Sequence, residues 1–225
     1  MRMRKKKHLN EKLEGCKNLI RVPPITRDYR IENREKAYFD FSEIFGNDHR
    51  LQMEIGCGKG SFICALAKRN PEINYVAVEV NPNVLVGACE RAMNEKVDNV
   101  IFILCGAELL PKYIRPGIID RIYLNFSCPF PKKAYENRRL TNPRFLDIYK
   151  QILSASGEIH QKTDNMGFFE YSLEQYSASG YRIKNISLDL HNSGFEGNIE
   201  TEYEIKFSSQ GFRIYRLEAY PYYTT

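Results

Sequence analysis

From residue 51 onward, short runs rich in β-branched and aromatic residues alternate with stretches whose apolar positions return at helical spacing. Side chains alternate faces along a strand and come back to one face about every 3.6 residues along a helix, so the two patterns predict different elements. Leu51 to Ile55 reads as a strand, Ser61 to Arg69 as a helix and Ile73 to Val80 as a strand, a first β-loop-α-β unit. Val84 to Lys96 follows as a helix and Val100 to Cys105 as a strand. Ile118 to Asn125 is a nearly continuous apolar strand of the kind buried on both faces. A helix over Pro143 to Ser154, a strand over Gly157 to Thr163, a helix over Phe168 to Ser179 and a strand over Tyr181 to Leu190 come next. A helical Glu202 to Ser208 and a strand Phe212 to Tyr220 complete the series. Such alternation predicts an α/β fold with a doubly wound, mostly parallel sheet and a terminal antiparallel strand.

Before residue 51 the pattern weakens. A short helical lead-in is expected around Ala37 to Phe45, and upstream of it basic residues mix with Pro23-Pro24 and little apolar periodicity. This predicts a basic arm over residues 1–35, mobile or ordered by a partner, and one domain over 36–225. At 225 residues, 43% hydrophobic and 27% charged, the chain can bury a substantial core and suits one α/β domain with an appendage. The net charge of +5 permits a polyanionic partner without requiring one. Arg2, Arg4, Lys5, Lys6, Lys7 and Lys12 crowd the opening, as a solubilising tail or an RNA-binding arm would. Asn10, Glu11, Lys12 and Glu14 follow where a secretory signal would turn apolar, so a cytoplasmic protein away from membranes is expected. The six cysteines fall singly, without CxxC or a His/Cys cluster, and predict reduced thiols and no metal. Monomer and homodimer both stay open.

The segment Glu54-Ile55-Gly56-Cys57-Gly58-Lys59-Gly60 lies where a strand ends and a helix begins. Its glycines allow a tight turn and let a ligand approach the backbone below a helix N-terminus. A dinucleotide fingerprint needs GxGxxG, whereas the spacing here is GxGxG preceded by an acid. That form suits S-adenosylmethionine, whose ammonium needs a carboxylate and which carries no phosphate to cradle. Glu54 supplies such a charge, and Glu79, ending the next strand, is placed to accept hydrogen bonds from ribose hydroxyls. The plainer alternative is a strand-helix turn whose glycines serve geometry only and whose acids face solvent.

Asn125-Phe126-Ser127-Cys128-Pro129-Phe130-Pro131-Lys132-Lys133 resembles the NFSDPWPKK signature of bacterial tRNA (guanine-N7-)-methyltransferases. Arg138-Arg139-Leu140-Thr141, Gly157 to His160 running into Lys162 to Asn165, Phe169 to Leu173, Leu188 to His191 and Thr201 to Glu204 resemble further blocks of that family in order. The resemblance implies the S-adenosylmethionine-dependent methyltransferase fold and methyl transfer to guanine N7 of tRNA. It places Glu54, Gly56, Gly58, Glu79, Gly106 and Cys128 in the cofactor site and Lys132, Asp164, Thr201, Glu202, Tyr203 and Glu204 in the substrate site. Lys132, past a parallel strand, could meet a phosphate, or be a solvated loop cation. Asp164 could accept from guanine N1–H and N2–H, or cap the following helix; Thr201, with Glu204 three residues on, also reads as a capping box. Arg138 and Arg139 are the expected RNA contacts, in a stretch diluted by Ala134, Tyr135, Glu136 and Asn137.

Three positions depart from the family's pattern. Cys128 stands in place of an aspartate, Phe130 in place of a tryptophan, and Gly106 where an Asp or Asn near the adenine is expected. Guanine N7 already carries a free electron pair, so attack on a sulfonium methyl needs positioning and electrostatics but no general base, and no catalytic base is assigned. The departures therefore imply impaired or altered activity. They also motivate two alternatives: a tRNA-binding paralogue without turnover, and a methyltransferase acting on a different nucleophile.

Overall fold

A computed structural model describes residues 7–21 and 36–222, which fall into two compact units, Met1–Arg115 and Pro116–Thr225. The first unit runs α1 (Leu9–Gly15), β1 (Ile20–Arg21), α2 (Phe41–Phe45), β2 (Arg50–Ile55), α3 (Ser61–Arg69), β3 (Ile73–Glu79), α4 (Pro82–Asn94), β4 (Val100–Leu104) and α5 (Leu110–Tyr113). Its strands stand in the order β1-β4-β3-β2, each pair parallel. Parallel strands covered by helices read as unbroken apolar runs, and Tyr75 to Val78 of β3 are all fully buried. Ile63 and Cys64 of α3 and Leu85, Val86 and Cys89 of α4 join Tyr75, Ala77 and Phe102 in one apolar cluster. Helix α4 starts where Asn81 caps the Asn83 amide and Pro82 supplies a preset first helical residue.

Residues 7–21, read from sequence as part of the basic arm, belong to this unit. Leu9, Cys16 and Ile20 are buried in the same cluster, Lys12 pairs with Glu90 of α4 at 2.7 Å, and Ile20 lies in register with Phe102. The other basic residues of that stretch, Arg2, Arg4, Lys5 and Lys6, and the Pro23-Pro24 pair lie outside the described residues.

The second unit holds β5 (Ile119–Asn125), α6 (Pro143–Ile152), β6 (Leu153–Thr163), α7 (Met166–Ala178), β7 (Tyr181–Ser187), α8 (Glu202–Ser208) and β8 (Tyr215–Pro221). Its strand order is β5-β6-β8-β7: β5 and β6 are parallel, and β8 runs antiparallel to both β6 and β7. Helix α7 packs on β6, β7 and β8, with Phe168, Phe169 and Tyr176 buried.

Most boundaries shift from the sequence reading by one or two residues, and three strand ends shift further. β6 begins at Leu153, four residues before the expected Gly157, because a register shift opposite Ile119 and Arg121 carries the small-residue stretch into the ladder. Gly157 permits it, since a Cβ there would stand 2.9 Å from the Ile119 carbonyl oxygen. β7 ends at Ser187, after a second shift near Asn185, whose φ is 51°. β8 starts at Tyr215, since Gly211 turns left-handed and Phe212 packs edge-on against Phe207 of α8.

Candidate functional site

In the first unit the ends of β2 and β3 meet the glycine loop. Glu54, the next-to-last residue of β2, is 2% exposed. Gly56, Gly58 and Gly60 all have positive φ, 81°, 58° and 75°, a conformation that side chains disfavour. The Gly56 and Cys57 amides donate to the Val78 carbonyl at 2.8 and 3.1 Å, which clips the loop to β3. Gly60 is required by space as well, because a Cβ would meet that of Ala88 on α4 at 2.9 Å. At Gly56 and Gly58 an added Cβ meets nothing within 4 Å, so the loop backbone borders open volume there.

Glu79 closes β3 and is engaged with the loop rather than merely facing solvent. Its Oε2 accepts from Gly58 N–H at 3.2 Å, and its Oε1 accepts from the Val80 and Asn81 amides, each at 2.9 Å. In the loop, the buried Cys57 thiol is pushed well above its ordinary pKa by burial and then by the charges of Glu54 and Glu79. A carboxylate sunk at a strand tip, a second acid beside it and a glycine backbone facing open space suit a ligand with an ammonium and a vicinal diol. S-adenosylmethionine fits this donor set. Gly106 lies past the end of β4, before the 3-10 turn Ala107–Leu109.

In the second unit the loop after β5 is strained and braced. Phe126 and Phe130 have φ of 49° and 40°, left-handed values that cost of order 1–3 kcal/mol each for residues other than glycine. The Phe126 amide donates to Lys162 O at 2.8 Å, and Arg139 donates from Nε to Pro129 O at 2.9 Å and from Nη2 to Phe130 O at 3.2 Å. Arg139 also lies over the Tyr171 ring at 4.2 Å, so it holds the loop. Arg138 is exposed and stacks over Phe130 at 4.7 Å. Cys128 and Lys132 are exposed, and Lys132 Nζ has no ion pair or hydrogen bond among the described residues.

Asp164 follows β6. The helix cap falls to Asn165, whose Oδ1 accepts from Phe168 N–H at 2.8 Å, and Asp164 makes no side-chain hydrogen bond among the described residues. Thr201 caps α8, accepting from Glu204 N–H at 2.9 Å. Glu202 and Tyr203 are exposed, and the Tyr203 ring stacks on Phe207.

Glu204 is completely buried. Its carboxylate accepts from Lys162 Nζ at 2.6 Å and from Asn198 Nδ2 at 2.6 Å, and meets His191 Nε2 at 3.1 Å. The reciprocal half of a capping box is thus replaced by a buried ion pair, and Glu204 anchors Thr201 to Tyr203 from beneath. Lys162, Asn198 and His191 were not singled out for this role in the sequence. The available signal was a lysine among the inward positions of an apolar strand.

Glu158, His160 and Glu218 bring ligand atoms within 4.8 Å of one another, but Arg121, Lys184 and Arg216 neutralise these carboxylates directly. Among the described residues no helix is long and apolar enough to cross a membrane.

Comparison with known proteins identifies the family. A family model described as "Putative methyltransferase" matches residues 48–217. A tRNA (guanine-N(7)-)-methyltransferase of Geobacillus sp. (strain WCH70) is 50% identical over 194 residues, 86% of this chain and 88% of that protein. The protein of that name from Listeria monocytogenes serotype 4b (strain F2365) is 52% identical over 189 residues, 84% and 88% of the two chains. The one from Streptococcus gordonii is 47% identical over 206, or 92% and 96%. Among solved structures, the 16S rRNA methyltransferase KamB matches with a TM-score of 0.61 at 14% identity, covering 83% of this chain and 95% of that one. The antibiotic-resistance methyltransferase Kmr matches at 0.56 and 16%, covering 81% and 92%. These two likenesses bear on the fold, which is that of S-adenosylmethionine-dependent methyltransferases.

Proposed function

Since this chain belongs to the tRNA (guanine-N(7)-)-methyltransferase family, we propose that it methylates N7 of a guanine in tRNA, in the cytoplasm, with S-adenosylmethionine as donor. The observation that carries the reading is the cradle of Glu54, the left-handed glycines Gly56 and Gly58, and Glu79 bonded to the Gly58 amide. S-adenosylmethionine, when bound, supplies a methyl group on a positively charged sulfur. Glu54 offsets the charge of the methionine ammonium, and Glu79 accepts hydrogen bonds from the ribose hydroxyls. Gly56 and Gly58 leave the backbone bare where the ligand passes. Gly106 joins this proposed cofactor set; Cys128 stands at a cofactor position of the family by resemblance alone.

On the tRNA side, Lys132 and Arg138 hold phosphate or stack on exposed bases, both being exposed cations. The Asp164 carboxylate accepts from guanine N1–H and N2–H, which fixes the base by its Watson–Crick edge. Thr201, Glu202 and Tyr203 line the substrate, while Glu204 and Arg139 act as positioning residues, since internal bonds occupy both. No side chain needs to remove a proton from N7.

The test is incubation of the full chain with unmodified tRNA and methyl-labelled S-adenosylmethionine, followed by nucleoside mapping. Label in 7-methylguanine is expected. Retained tRNA binding without label selects the non-catalytic paralogue, and label on another atom selects a different nucleophile; either overturns the proposal.

A further inference from the structure

Gly106 is a glycine that its own backbone does not require. Its φ of −80° and ψ of 153° are extended values open to any residue. The space a side chain would enter is instead taken by the carboxylate of Glu108, which would have to move aside. A Cβ built on Gly106 would meet both carboxylate oxygens and, at 2.6 Å, the carboxyl carbon. The 3-10 turn Ala107–Leu109, closed by Leu109 N–H on Gly106 O at 3.1 Å, carries Glu108 back over residue 106. The neighbouring Cys105 thiol registers the same charge, pushed up to about 12 by burial and then by Glu108.

The place of this carboxylate in the fold is informative. Glu54 of β2 lies in register with Ala77 of β3, and Glu79 of β3 with Leu104 of β4. Three adjacent strand ends, about 4.8 Å apart from neighbour to neighbour, therefore present acids in sequence: Glu54, Glu79, then Glu108 beyond β4. With an ammonium on the first and a ribose on the second, the nucleoside base comes to the third. Adenine has one exocyclic hydrogen-bond donor, its 6-amino group, and an ionised carboxylate only accepts.

We infer that Glu108 takes over the role of the side chain missing at Gly106 and selects the adenine of the donor through its 6-amino group. This rests on the cofactor cradle proposed above. A 6-oxo purine would turn a lone pair toward the carboxylate and be rejected.

The experiment is titration calorimetry of the full chain with S-adenosylhomocysteine and with its 6-oxo counterpart, S-inosylhomocysteine. The wild type is expected to prefer the adenine form by roughly ten- to hundred-fold, the range of one hydrogen bond to a charged group. Glu108 is exposed, so Glu108→Gln and Glu108→Ala leave the fold intact; each should shrink that preference to within about threefold. Gly106→Asp combined with Glu108→Ala should restore it. Glu79→Gln, run in parallel, should weaken both ligands alike. If the preference survives in both Glu108 variants while Glu79→Gln weakens binding, the inference fails and the cradle stands. If Glu79→Gln weakens neither ligand, the cradle fails and takes the inference with it.

Discussion

Replacing Lys162 by Met isolates the buried ion pair beneath the substrate segment. The Lys162 side chain is 7% exposed and that of Glu204 0%, with Nζ 2.6 Å from Oε2. Removing the ammonium leaves a carboxylate with Asn198 and His191 as its remaining partners, far from bulk water. Breaking such a pair from one side costs about 3–5 kcal/mol. For a chain of this size each kcal/mol moves the melting temperature by about 2–4 °C, so the variant should melt roughly 6–20 °C below the wild type. Lys162→Met/Glu204→Leu, which removes both charges, should recover part of that loss, because two well-packed apolar groups avoid the desolvation penalty. Differential scanning calorimetry at neutral pH reads both. The same pair anchors Thr201 to Tyr203, so tRNA should bind more weakly to Lys162→Met while S-adenosylhomocysteine binds as before. A single variant melting within about 2 °C of the wild type, or a double variant no more stable than the single, would refute the reasoning.

Further outcomes are expected elsewhere. Gly60→Ala combines a φ of 75° with a Cβ 2.9 Å from that of Ala88, and should lose about 1–3 kcal/mol in a urea melt, whereas Gly56→Ala meets no neighbour and should lose less while weakening donor binding. An equal loss at both sites would contradict the close approach of α3 and α4. In the second unit the His160 bond, aided by Lys184 and Arg121, holds the Glu158 carboxyl well below the usual carboxylate range, and burial holds His160 below its ordinary value. Near neutrality His160 is therefore an uncharged partner of Glu158, and Arg121 and Lys184 are the compensating cations. Both shifts are downward, so their stability is complete above about pH 6.5 and is lost as acid protonates the unfolded chain first, His below about 6.5 and Glu below about 4.3. Glu158→Gln should flatten the lower part of that acid limb, and an unchanged urea midpoint profile would count against it. Cys128→Asp should raise turnover on tRNA by restoring an acid on the loop after β5; an unchanged or lower rate would show that Cys128 does not limit turnover.

How far the sequence can be read depends on whether a signal is local. The β2-loop-α3-β3 unit was legible to within a residue because glycines punctuate it and both strands are buried runs. Helix α1 was not, since its seven residues bury only Leu9 and become amphipathic only against α4, through Lys12 with Glu90 and Cys16 with Met93. The capping box at Thr201 was half legible. Thr201 caps as expected, but Glu204 turns to a lysine 42 residues upstream, a pairing that no local pattern encodes. The cap before α7 slipped by one residue, from Asp164 to Asn165, so Asp164 has no capping role. Gly106 read as a lost contact because the acid that fills its place comes from two positions later, after a turn the strand pattern does not show.

Of the six cysteines, five are buried and Cys128 alone is exposed. Burial raises the pKa of all five interior thiols, which keeps them protonated and slow to react. A maleimide dye added to the folded protein therefore attaches at one place, next to the bases and phosphates proposed to dock there, and the remaining five sulfurs become countable only as the chain comes apart. Without any engineered label, the wild-type sequence carries both a single-point optical reporter of RNA arrival and a stoichiometric gauge of unfolding.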